Sequence, residues 1–304
     1  MKRFLTLLLT ALMVITFSAT ALAADSATGS VLRLESLVGT ITITNSAGRT
    51  MTASENMRLL NGYSITTSNS SYAYVSLDDS KAIKLDALTT CTIRQQGSNL
   101  ELLVESGSIF FNVSAPLSDT ETMSVRTSTT VTGIRGTSGT VWSNGSDQSR
   151  TRIHSGSVTV TTVETTAISN SGAIDTNTDA LKTTTISAGQ EGIATHDTSS
   201  GTTEIVIIST TEADYSGFEL QAIANEDGLL EKILETSETS LTEEVISQSE
   251  IRLAEEQAVQ DVQVASVAIE QEAQTTQDTA METIIETTTD TDTDTDTDAD
   301  TDTD

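Results

Sequence analysis

Between Thr40 and Ser209 polar and apolar residues alternate with a period of two, in short runs broken by Gly, Asn, Asp and Ser. Thr40-Ile41-Thr42-Ile43-Thr44 leads into Asn45-Ser46-Ala47-Gly48, a turn. Ala73–Leu77 and Ala82–Leu85 flank Asp78-Asp79-Ser80-Lys81, the pattern of a hairpin. Leu100–Val104 and Ile109–Val113 flank Glu105-Ser106-Gly107-Ser108, which reads as a turn between two strands. Ser124–Thr127, Gly139–Trp142, Arg152–His154, Val158–Thr161 and Glu204–Ser209 continue the series. Such alternation places every second side chain on one face of a pleated strand, and the Thr, Val and Ile that fill it suit half-buried pleats. The expected fold is all-β, an elongated β-sandwich or β-solenoid-like domain over residues 25–210.

One turn recurs. Glu105-Ser106-Gly107-Ser108-Ile109 returns as His154-Ser155-Gly156-Ser157-Val158, and Ser187-Ala188-Gly189-Gln190 offers a third version. Stacked β-coils and a two-sheet sandwich both produce such a repeat.

The ends of the chain differ from this middle. Met1-Lys2-Arg3, an apolar stretch from Leu5 to Phe17 and Ala21-Leu22-Ala23 read as an export signal over residues 1–23, cut after Ala23. No Cys follows to take a lipid anchor, and no later apolar run approaches the roughly 20 residues of a membrane span, so none is expected in the mature chain. The net charge of −29 is concentrated at the other end. Residues 24–150 carry 11 acids and 9 bases, whereas residues 212–304 carry 27 acids and 2 bases, Lys232 and Arg252.

From Glu212 the pattern becomes helical. Phe218, Leu220, Ile223, Leu229, Leu230, Ile233 and Leu234 suggest short amphipathic helices. Ser240-Leu241-Thr242-Glu243 is a capping box ahead of a helix from about Leu241, with a thin apolar stripe of Val245, Ile246, Leu253, Val259 and Val262. Residues 212–289 therefore read as an acidic, partly helical region, and 290–304, an Asp-Thr repeat, as disordered spacer. Self-repulsion is expected to keep Asp290–Asp304 extended and solvated, and the tail beyond Thr211 is expected to be separate from the strands and dispensable for their folding. The repeat lacks the Gly and Glu of an EF-hand loop, so weak, diffuse divalent-cation binding is all it offers.

Little in the chain points to chemistry. The acidic charge and 3% aromatics exclude a nucleic-acid binder that grips phosphate or stacks bases. His154 and His196 have no Cys or Asp at ligand spacing, so no metal site and no cofactor are expected; His154 reads as a solvated or half-buried turn residue. Cys91, the single cysteine, reads as a small buried hydrophobe in a strand. Asp78-Asp79 could serve a glycosidase, but a hairpin tip simply solvates them. Trp142 ends a strand, where core packing is the favoured reading and a ligand-facing ring the alternative.

Seven segments in order resemble the FecR domain. They are Val38-Gly39; Leu60-Asn61-Gly62-Tyr63-Ser64-Ile65-Thr66-Thr67; Ser71 to Ser80; Leu102 to Val113; Val125 through Val131-Thr132-Gly133-Ile134-Arg135-Gly136-Thr137; His154 to Val158; and Ile186 to Gly192. Two departures stand out: Tyr63-Ser64 replaces a frequent Asp, and Ser128 or Thr129 occupies the usual Pro place. The motif positions Gly39, Leu60, Gly62, Thr66, Gly107, Gly133, Gly136, Thr137, Gly156 and Gly189 are expected to be structural. The resemblance implies an exported β module. Iron-citrate regulators of the family add a cytoplasmic anti-sigma segment, a membrane span and a periplasmic domain that contacts a transporter; this chain looks like the exported domain alone.

The expected role is a non-catalytic binding or scaffold module at the cell envelope, meeting an envelope protein or a surface glycan. Its place is periplasmic, cell-surface or extracellular. The alternatives are a sensor component whose membrane partner is a separate chain and, less favoured, a hydrolase acting on wall or polysaccharide.

Overall fold

The computed structural model describes residues 31–163, 181–235, 241–263 and 265–266. The expected leader, the Asp-Thr repeat and Ser240 of the capping box lie outside them. Seventeen strands come first. They are β1 (Arg33–Val38), β2 (Ile41–Thr44), β3 (Thr50–Thr52), β4 (Met57–Arg58), β5 (Ser64–Thr67), β6 (Tyr72–Asp78), β7 (Lys81–Leu85), β8 (Thr90–Gln96) and β9 (Asn99–Val113). Then follow β10 (Thr122–Arg126), β11 (Thr130–Ile134), β12 (Ser138–Ser143), β13 (Gln148–Ser155), β14 (Ser157–Thr162), β15 (Thr183–Ser187), β16 (Gln190–Asp197) and β17 (Thr202–Ser209).

They pair into two layers. One runs β4-β1-β6-β7-β9-β12-β13-β16-β17. The other runs β3-β2-β5-β8-β9-β10-β11-β14-β15, in which β9 and β10 are parallel. β9 belongs to both: residues 99–106 pair with β8 in the second layer, and residues 107–113 pair with β7 and β12 in the first. The segment Glu105–Ser108 is therefore not a hairpin turn, as the sequence suggested, but a bend inside one strand that carries it from one sheet to the other.

The recurring glycine turn takes its meaning from this crossing. Gly156 lies where the chain leaves β13 in the first layer for β14 in the second, and Gly189 where it returns from β15 to β16. Gly107 (φ +87°) and Gly156 (φ +81°) adopt a left-handed backbone that side chains disfavour. A Cβ on Gly107 would collide with Thr89, whose Oγ1 accepts from the Ser108 amide at 3.0 Å. Successive corners stack along the edges: the Ala188 amide donates to Gly156 O at 2.9 Å, and the Leu88 amide to Ser68 O at 3.2 Å.

Between the layers lies one apolar core. Leu34, Val75, Ile83, Ile109, Phe111, Val141 and Ile153 enter it from the first sheet, and Ile43, Ile65, Cys91, Ile93, Leu102, Val125 and Val160 from the second. Cys91 is fully buried and its thiol is pushed up to about 12 by that burial, which removes it from thiolate chemistry. The second sheet keeps the alternation of a one-sided strand; β5 and β8 each bury every second residue at their start. In the first sheet the alternation fails where both faces are covered, at Ile109-Phe110-Phe111 in β9 and Thr151 to Ser155 in β13.

The cover on that outer face is the acidic extension. It forms α1 (Gly217–Ala224), α2 (Leu229–Glu235), α3 (Glu243–Ser247) and α4 (residues 249–263). α1 starts at a capping box of Ser216 and Glu219; α3 starts at Thr242, whose hydroxyl accepts from the Val245 amide at 3.3 Å. Phe110 packs in a second apolar cluster with Tyr215, Phe218, Leu220, Ile223, Leu229, Ile233, Leu241, Val245, Ile246 and Leu253. Polar contacts reinforce it: Lys84 Nζ donates to Ala222 O at 3.2 Å, Asn112 Nδ2 to Glu226 Oε2 at 2.8 Å, and Gln257 Nε2 to the Tyr72 hydroxyl at 2.9 Å.

The expectation of an extension separate from the strands is thus overturned for its helical part. Net repulsion is spread over many exposed carboxylates, whereas the apolar residues and a few buried charges are gathered on one side, against the sheet. Of the expected stripe, Val245, Ile246 and Leu253 are buried and Val259 and Val262 are exposed.

Candidate functional site

Where α1 meets the first sheet, a cleft of about 270 Å³ opens between Asp86, Ser108, Thr140, Trp142, Arg150, Arg152, Glu191, Asp214, Ser216 and Glu219. Five strands or strand ends and the start of the helical cover supply its walls. The centre is Arg152, on the outward face of β13. Its Nη1 donates to Glu219 Oε2 at 2.7 Å and its Nη2 to Glu191 Oε1 at 3.1 Å. The Arg152 side chain is only 10% exposed and both carboxylates 5%. Burial alone would lower the guanidinium's pKa; the flanking Glu219 and Glu191 charges outweigh it and raise the value.

Glu219 has a second task. The same Oε2 accepts from the Ser216 amide at 3.0 Å and the Ser216 hydroxyl at 3.1 Å, closing the capping box of α1. Its Oε1 makes no hydrogen bond among the described residues and lies 3.9 Å from His154 Nε2. His154 is 0% exposed, between the rings of Phe110 and Tyr215 at 5.7 and 5.6 Å, and its Nε2 lies 3.0 Å from Thr140 Oγ1. Burial holds the imidazole down at about 4, so it is neutral at pH 7; the nearby Arg152 adds to this and Glu219 opposes it. The reading of His154 as a solvated turn residue is corrected: it is a strand residue sealed beneath the helices.

At the mouth, the Arg150 guanidinium lies 5.2 Å above the Trp142 ring. Trp142 is half-buried, at the cleft rather than in the core. Asp86 faces the same space from the end of β7. Its Oδ1 accepts from the Ala87 amide at 2.7 Å. Burial pushes this carboxyl up to about 7, and the charges of Glu256 and Glu219 add to the push.

None of the ten motif residues lines this cleft. Gly39, Gly107, Gly136, Gly156 and Gly189 sit at crossings between the layers. Leu60 is exposed in the turn before β5, and the Gly62 amide donates to Ile93 O at 2.8 Å. Thr66 Oγ1 lies 3.3 Å from Thr90 Oγ1, Gly133 pairs with Thr159 across β11 and β14, and Thr137 is buried beside Gly156. Asp78, raised as half of a carboxylate pair, is held by Lys81 at 2.6 Å and by the Ser80 amide at 2.8 Å.

The cleft residues that sequence reading missed are Asp86, Arg152, Glu191 and Glu219. Ser216-Gly217-Phe218-Glu219 is itself a readable capping signal; that its carboxylate also anchors an arginine 67 residues away has no sequence signature. Among the described residues no group of three or more His, Cys, Asp or Glu could hold a metal ion, and no helix is long and apolar enough to cross a membrane.

Two crystal structures of a candidate anti-sigma factor from Parabacteroides distasonis ATCC 8503 are similar to the chain at 16% identity, each with a TM-score of 0.36 over 48% of this chain. The chain spans 59% of that protein's length. No curated protein matches. Residues 63–159, from the residue before β5 into β14, match the family described as FecR protein.

Proposed function

We propose that the chain is an exported, non-catalytic FecR-domain protein that binds an envelope protein or a surface glycan. The observation that carries this reading is the FecR match over residues 63–159, which supports a role of the signalling-sensor type. The cleft agrees with binding more than with turnover: Arg152 is clamped by two carboxylates and His154 is sealed and neutral, so neither is free to transfer a proton to a substrate.

A second reading, a sensor whose membrane partner is a separate chain, draws support from where the cleft lies. Asp214, Ser216 and Glu219 come from the helical cover and Trp142, Arg150 and Arg152 from the sheet, so an occupant would touch both sides of the seam.

Photo-crosslinking of the full chain in envelope fractions tests both readings, with the reactive group placed in turn at exposed Leu60, Lys182 and Val206. The expected result is a discrete adduct with one envelope component at a subset of positions. Adducts at none of them would sink the binding reading. Hydrolysis of a wall polysaccharide by the pure protein, lost in Asp86→Asn, would overturn its non-catalytic half.

A further inference from the structure

We propose that the Trp142–Asp86 cleft is a binding site for a small organic cation, an alkylammonium or guanidinium group. This rests on reading the chain as a binding module and names the ligand class of that site.

Three features of the cleft lead there. Its lining holds four carboxylates, Asp86, Glu191, Asp214 and Glu219, against two guanidinium groups, Arg150 and Arg152. The two terminal nitrogens of Arg152 are not available to an anion, because Glu219 and Glu191 already hold them, and their carboxylates cancel its charge; only its buried Nε has no acceptor among the described residues. The excess charge facing the space is therefore negative.

The second feature is Asp86. Among the described residues, the one hydrogen bond to its carboxylate is from the Ala87 amide to Oδ1. Its Oδ2 suits a charged N–H donor, the stronger class of hydrogen bond.

The third feature is Trp142. Arg150, an exposed residue that makes no ion pair among the described residues, rests its guanidinium over the indole. The indole face thus already accepts a cation, supplied by the chain itself, and that cation is exposed enough to be displaced. A space of about 270 Å³ is small for a ligand pocket and fits a diamine or one basic side chain rather than a larger molecule.

The chain supplies its own reporter, since Trp142 is its single tryptophan. The full chain is titrated at pH 8, above the value of about 7 to which the Asp86 carboxyl is raised, with 1,5-diaminopentane and with Nα-acetyl-lysine N-methylamide. The controls are 1-pentanol and acetate, and KCl holds ionic strength constant to cancel diffuse binding by the acidic tail. Both amines are expected to change Trp142 emission saturably and neither control to do so. The amine that binds more tightly identifies the source as a free amine or a peptide-borne side chain.

Asp86→Asn, which keeps an acceptor for the Ala87 amide, is expected to weaken binding about tenfold, the loss of one charge-assisted contact. Arg150→Gln is expected to tighten it, because the indole face is vacated. The proposal is overturned if neither amine gives a saturable change, if acetate gives the same change, or if Arg150→Gln binds the amines no better than the wild type. The last comparison holds even if Asp86→Asn fails to fold. Envelope crosslinking is scored separately, so a crosslinked partner without amine binding removes this inference and leaves the binding reading standing.

Discussion

Arg152 Nη1 and Glu219 Oε2 meet at 2.7 Å across the seam between β13 and α1, with both side chains almost wholly buried. The contact ties the strand domain to its helical cover through a residue that the helix also needs for its own cap. Removing one member of such a pair is costlier than the pair is worth, because the partner stays behind as a buried charge. Arg152→Met leaves both Glu219 and Glu191 without their cation and is expected to cost about 3–5 kcal/mol. Urea unfolding at pH 7 measures it; a loss under 1 kcal/mol would show that water solvates the two carboxylates.

A chain ending at Thr211 is expected to melt several degrees below the full chain, or to aggregate. It would expose Phe110, whose burial alone is worth about 1.5–3 kcal/mol, together with the sealed faces of His154 and Tyr72. Coincident thermal melts of the two chains would mean that the cover adds nothing to the sandwich.

Gly107→Ala is expected to destabilise by about 1–3 kcal/mol from backbone strain, and by more if Thr89 cannot move aside. Gly97 is the matched control: it too has a positive φ, but a Cβ there meets nothing within 4 Å. Equal losses by chemical denaturation would assign the whole effect to φ and none to the crossing of β9 between sheets.

The strands were legible because each layer has a core-facing side, and burial of that side forces alternation in the sequence, as in Ile41 and Ile43 or Ala73, Val75 and Leu77. The glycine turns were legible as turns; their role as crossings was not, since a chain that bends within β9 and one that doubles back at Gly107 carry the same residues. Ile109-Phe110-Phe111 did break the alternation, and that local failure was the one sign that something covers the sheet's outer face. The cleft was illegible for a simpler reason. Asp86, Arg152 and Glu219 come from the residue after β7, from β13 and from α1, and each is an ordinary surface residue type until the fold gathers them.

The cleft's titrations give a last test, with opposing slopes. His154 is held at about 4, below its ordinary value near 6.5. The unfolded chain takes up that proton first, so His154 contributes stability above pH 6.5 that is lost as pH falls towards 4. Asp86 is raised to about 7 from 3.8. Its contribution is fully present below pH 3.8 and is lost as pH rises through 7, because the unfolded chain releases its proton more readily. Glu219 and Glu256 face Asp86 and oppose its ionisation, with Arg150 and Arg152 on the cleft's other walls. Asp86→Asn removes this second slope alone. The variant is expected to gain stability relative to the wild type as pH rises from 4 to 8, with the gap widest at pH 8. Urea midpoints at pH 4, 6 and 8 read it directly, and a gap that stays constant with pH would show that Asp86 titrates in the folded chain as it does in water.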